Sequence, residues 1–245
     1  MAGSLGEYET AQEHHEASLN TFREIGNRAG EAVALTNLGV VAGLLGEFEA
    51  SRKRHRGSLG IAREISDRAT EAKSLSNLGV VASHLEEYET ARERHEESLE
   101  ITRTVGDRTG ELANLDNLGG VASDGGNYEE AERYYDEALA ISKKIGDHPS
   151  VARVQFNLGI NAERRGNLER AIEWFRKSKA IREELGVDRD VLDCLSAISR
   201  ITAQLDRTET AREACADALE LIETSNLDGL DDRAREFQIR DARLD

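Results

Sequence analysis

The chain is short of the residues that staple small folds or build sheets. Of 245 residues, two are cysteine, one is proline, and aromatics make up 4%. Two cysteines cannot form a disulfide framework, so Cys194 and Cys215 read as buried, reduced thiols. Few aromatics alongside many small residues favour helices over sheets. Long apolar runs are missing as well. The longest, Leu38 to Gly46, has nine residues, three of them glycine, against the ~20 that a membrane span needs. The first residues lack the basic-then-apolar order of a signal peptide. The expectation is a cytoplasmic protein with no membrane partner.

Basic charge is the other shortage. Against 48 acidic residues stand 32 basic ones, 26 Arg and only 6 Lys, for a net charge of −16. That balance excludes nucleic acid and anionic membranes as partners. Lysine-poor, arginine-rich acidity fits a halophilic protein, because at molar salt the Debye length is only ~3 Å and self-repulsion is screened. A GC-rich genome gives the same Arg:Lys ratio without salt adaptation.

Catalytic and cofactor motifs are also lacking: no phosphate loop, no GxSxG, no HExxH and no CxxC. The doublets Gly119-Gly120 and Gly125-Gly126 have no following Lys-Ser or Lys-Thr. At roughly 1 kcal/mol per glycine in a helix interior, they predict a soft joint. His15, His55 and His95 recur at one position, but neighbouring helices stand ~10 Å apart and zinc holds its ligands at ~2 Å. Tyr135, Phe175 and Cys215 take the same position later in the chain, so it reads as a packing site. Exposed carboxylates amid arginines read as a solvated face laced by i, i+4 ion pairs. The chain is therefore expected to be non-enzymatic, without cofactor or metal.

What the chain does have is a repeat. NLGVVA at 37 and 77, NLGGVA at 117 and NLGINA at 157 recur every 40 residues, with a weakened copy, AISRIT, at 197. A second block keeps step, as in EYETARERHEESLEITRTV. Leu75, Leu78, Ala82 and Leu85 fall on one stripe of a helix; Ala91, His95, Ser98, Leu99, Thr102 and Val105 fall on another. Gly46, Gly126 and Gly166 are placed to end the first helix of a pair, and Gly26, Gly106, Gly146 and Gly186 the second. Asp67, Asp107 and Asp147 sit at N-cap positions, with Glu31, Glu71 and Glu111 in the next first turn.

The order Leu35, Leu38-Gly39, Ala42, Phe48, Ser51, His55, Ser58 resembles the tetratricopeptide repeat. The string Gly106-Asp107-Arg108-Thr109-Gly110-Glu111 and the 40-residue period are similar to the longer form in Rapsyn and partner-of-inscuteable proteins. The resemblance covers roughly residues 5–223. It departs at the fifth repeat, where Ser199 and Asp206 replace glycines and Thr208 replaces the aromatic. It implies an all-α fold, a right-handed superhelical solenoid of antiparallel helix pairs with about five repeats and a leading half-repeat. Residues 1–225 would form the array and 226–245 a capping helix. The opening LGEYETA matches a turn and second helix whose first helix is missing, so its uncovered face is a candidate for self-association.

In such arrays the first helices line a concave groove. Asn37, Asn77, Asn117 and Asn157 recur there, and amides have poor helix propensity. They either bond across to the next repeat or read the backbone of a bound peptide. Val40 and Val80 stand beside them. By 40-residue register, Arg153, Arg164 and Arg200 replace Ala113, Asp124 and Gly120, and arginine forks bind carboxylates. The resemblance implies groove asparagines and basic residues that hold an extended peptide with an acidic end. The expected function is a protein-binding scaffold whose groove takes an extended peptide or a partner's helix. The alternative is a sensor module of a transcription regulator or kinase, separated from the rest.

Overall fold

The computed structural model describes residues 2–225 together with Phe237, Gln238 and Arg240. Among them it shows eleven helices and no strands, a solenoid of antiparallel helix pairs. The chain divides into two compact units, Met1–Asn127 and Tyr128–Asp245.

The first unit holds α1 (Ala2–Glu24), α2 (Arg28–Leu44), α3 (Phe48–Glu64), α4 (Arg68–His84), α5 (Tyr88–Val105) and α6 (Arg108–Asp124). Each helix packs on its chain neighbours, and α4 also touches α2 and α6. Glycine sets the closest approaches. The His55 ring lies on Gly39, where a Cβ would come within 2.5 Å, and His95 lies on Gly79 at 2.6 Å. The recurrent histidines are thus packing residues, and His55 and His95 are buried. Leu59, Ala72, Leu75, Leu78 and Ile101 form an adjoining apolar core.

The second unit holds α7 (Tyr128–Ile145), α8 (His148–Arg164), α9 (Leu168–Glu184), α10 (Asp188–Gln204) and α11 (Thr208–Thr224). Phe175 takes the histidine's place on Gly159, with a Cβ distance of 2.7 Å. Phe175, Leu192, Ile201 and Cys215 anchor its core, which also includes Phe237. The Arg240 guanidinium donates to the Ser196 carbonyl at 2.8 Å and to Ser199 Oγ at 2.5 Å. The rest of the expected capping helix lies outside the described residues.

One turn recurs every twenty residues. All seven glycines expected to end helices have positive φ. The following residue donates back to the last turn, as Glu47 N does to Ala42 O at 2.8 Å, the bond of a Schellman cap. Ser66, Glu86 and Asp206 occupy the same position with φ of 57°, 60° and 57°. The Asp67, Asp107 and Asp147 carboxylates cap α4, α6 and α8 as expected, and Asn27 caps α2.

Two expectations need correction. The opening LGEYETA forms no turn: α1 runs unbroken through Gly6, whose carbonyl accepts from Thr10 Oγ1 at 2.8 Å. Tyr8, Ala11, His15 and Ser18 are only half-buried, whereas Ser51, His55 and Ser58 of α3 are fully buried. Helix α6 runs through Gly119 and Gly120 to its C-cap, Gly125, so any softness of that joint is one of stability within an intact helix. The ion pairs, finally, join neighbouring helices or i, i+3 positions far more than i, i+4. Buried Glu31 is held by Arg23 and Arg28, Glu71 by Arg63 and Arg68, and Glu111 by Arg103 and Arg108. Arg23 holds the Glu31 carboxyl below its ordinary pKa against the cost of burial.

Candidate functional site

The expected site residues fall in both units. In the first, α2, α4 and α6 stand side by side and enclose a groove of about 500 Å³, with α5 behind it. Asn37 and Asn77 line it, one from α2 and one from α4. Both are half-buried. The Asn77 Nδ2 atom is shielded from solvent and has no hydrogen-bond partner. Asn117 is half-buried on α6, one turn beyond the lining residue Ala113. Val40 and Val80 sit one turn past the lining asparagines and are exposed and half-buried respectively. Val33, Val40 and Leu44 form an exposed apolar stripe along α2. Lys73 adds a single exposed ammonium to the groove wall.

Beneath the groove runs a polar seam that periodicity did not reveal. Ser58 Oγ donates to the Ala32 carbonyl at 2.8 Å and lies 2.8 Å from Thr36 Oγ1, and Ser74 Oγ donates to it at 3.0 Å. One repeat on, Ser98 Oγ donates to the Ala72 carbonyl at 2.8 Å and accepts from Asn114 Nδ2 at 2.9 Å. In the first unit Asn114 thus bonds across to the preceding repeat, from a position that holds Ala34, Ser74, Val154 and Cys194 elsewhere. A search for recurring residues passes over a lone amide.

In the second unit, Asn157 is half-buried on α8. The three arginines do not gather at one point. Arg153 and Arg164 are eleven residues apart on α8, about 16 Å along the axis. Arg200 on α10 is held by both carboxylate oxygens of Glu163, one of them at 2.9 Å. Forty-residue register places residues on equivalent faces, but it does not bring different offsets together.

No helix among the described residues is long and apolar enough to cross a membrane. No group of three or more His, Cys, Asp or Glu among them is arranged to hold a metal ion.

Among solved structures, the chain is similar to BtubC from P. vanneervenii, with a TM-score of 0.79, 19% identity, and coverage of 89% of this chain and 92% of that one. A signal-transduction ATPase with a tetratricopeptide repeat sensor from Pyrococcus horikoshii gives 0.78 at 19% identity, covering 89% of this chain but 34% of that one. A Rap protein complexed with competence and sporulation factor gives 0.69 at 16%, covering 84% and 57%. No curated protein sequence matches the chain. The model of the tetratricopeptide repeat matches four overlapping segments, 2–64, 32–104, 70–144 and 110–184. The chain is a member of the tetratricopeptide repeat family.

Proposed function

We propose that this chain is a non-enzymatic interaction module whose first-helix groove binds an extended peptide or one helix of a partner protein. The observation that carries this reading is the unpartnered Asn77 amide on the wall of an open groove. A buried donor without an acceptor costs about 1–3 kcal/mol, and a ligand's main-chain carbonyl would relieve that deficit. Asn37 offers the same donor and acceptor one repeat earlier, and Val33, Val40 and Leu44 offer apolar contact beside it. Asn117 and Asn157 continue the register on α6 and α8. Arg153, Arg164 and Arg200 lie on the second unit's first helices, α8 and α10, and a guanidinium there suits an acidic ligand segment. The 40-residue period supports kinship with the Rapsyn and partner-of-inscuteable arrays. The half-covered face of α1 supports self-association as an additional contact.

A second reading is a sensor module of a larger regulator. It is favoured by the ATPase whose repeat sensor resembles this chain across only 34% of its own length.

The groove reading is tested by panning a random peptide library against the whole chain and titrating enriched peptides calorimetrically. The double substitution Asn37→Ala, Asn77→Ala should weaken their binding about tenfold or more and leave the melting temperature nearly unchanged. Unchanged affinity, or a marked loss of stability, would show that the amides serve the fold.

A further inference from the structure

The first-helix face has a different chemistry in the second unit. A cavity of about 460 Å³ lies among the start of α8, the end of α9 and the start of α10. In repeat register it corresponds to the part of the first groove lined by Thr102, Asp107 and Gly110. Here those positions are Arg182, Val187 and Asp190.

Arg182 is the unusual residue. The same position elsewhere holds Phe22, Ala62, Thr102, Ser142 and Ile222, none of them charged. The Arg182 side chain is only 8% exposed. Its Nη1 donates to the Asp190 carbonyl at 2.8 Å and to Cys194 Sγ at 3.4 Å, and its guanidinium lies 4.5 Å from the Phe156 ring centre. The carboxylate of Asp190 is half-exposed and 3.8 Å from Nε, beyond hydrogen-bonding distance. A buried guanidinium is normally matched by an anion in close, two-point contact. Here the charge is buried, weakly neutralised and set in the wall of a cavity of ligand size. Arg153, which donates to Ser150 Oγ at 3.4 Å, shares that wall. Leu185 and Val187 supply an apolar wall, exposed by 42% and 41%. Val187 begins α10 without a side-chain cap, with Asp188 and Asp190 in its first turn.

We infer that this cavity binds a small organic acid, with its carboxylate on Arg182 and its apolar body against Leu185 and Val187. An anion without an apolar body, such as inorganic phosphate, would leave the Leu185 and Val187 wall uncovered. The site shares Arg153 with the second unit's first-helix face, but Arg182, Leu185 and Val187 are its own and the assignment does not depend on the Asn37 and Asn77 groove.

The test titrates the whole chain with octanoate, with octanamide (the same chain without charge) and with inorganic phosphate. Melting temperature and the nitrogen-15 resonance of Arg182 Nε are followed. Arg182→Thr restores the residue type of Thr102 and should fold. Millimolar octanoate should raise the melting temperature by several degrees and move the Nε resonance, whereas octanamide and phosphate do neither. Arg182→Thr should lose the response, and Asn37→Ala with Asn77→Ala should keep it. An equal response to octanamide, a response that survives Arg182→Thr, or no response overturns the assignment. So does a peptide C-terminus that binds where octanoate does not. Should Arg182→Thr fail to fold, the wild-type Nε resonance decides the same question.

Discussion

His55 and His95 spend their proton-binding capacity on packing. Burial pushes the pKa of each from 6.5 down to about 4, because a charged ring pressed onto a glycine backbone cannot be hydrated. The unfolded chain binds these protons below about pH 6.5 and the folded chain does not. Stability should therefore be full above that pH and fall as pH drops toward 4, by roughly 3 kcal/mol per histidine. Carboxylates held below their ordinary values, such as Glu31 and Asp67, lose their contribution at lower pH. His55→Phe, which copies Phe175 on Gly159, should fold and remove about half of the loss between pH 6.5 and 4. Denaturant melts across that range check this. An unchanged slope would mean that His55 titrates normally.

At the scale of elements, the ends of α1 to α10 each depend on one left-handed residue. Glycine reaches that conformation freely, whereas other residues pay about 1–2 kcal/mol for it, Asn and Asp somewhat less. Glu86→Gly should therefore stabilise the chain by about 1 kcal/mol and Asp206→Gly by less. The check is the denaturant midpoint at constant m-value. A neutral or destabilising Glu86→Gly would show that the α4–α5 turn holds Glu86 through contacts that outweigh its strain. Gly6 departs from this pattern: its sequence context matches Gly46, yet it stays helical within α1.

At the scale of the molecule, the net charge of −16 and the inter-helix ion pairs respond to salt in opposite directions. Repulsion among dispersed carboxylates acts over 10 Å or more and is screened by salt. Contacts such as Arg52 to Glu87 at 2.8 Å are screened less. Raising KCl from ~0.1 M to ~2 M should thus raise the melting temperature. A flat or falling curve would count against salt adaptation and assign the arginines to inter-helix pairing.

The sequence alone determined the helix pairs, their boundaries and the packing role of His55 and His95. These depend on local rules, the 3.6-residue period, caps and left-handed glycines, repeated often enough to be unmistakable. Contacts between different offsets were decided only by the tertiary structure. Asn114 rather than Asn117 bonds Ser98, because its offset on α6 points toward α5. Arg200 is taken up by Glu163 on α8, and Arg182 is buried where other repeats hold uncharged residues. A repeat period tells which residues are equivalent. Which inequivalent residues meet depends on how one helix rotates and slides against the next, and that is settled by the packing of whole faces.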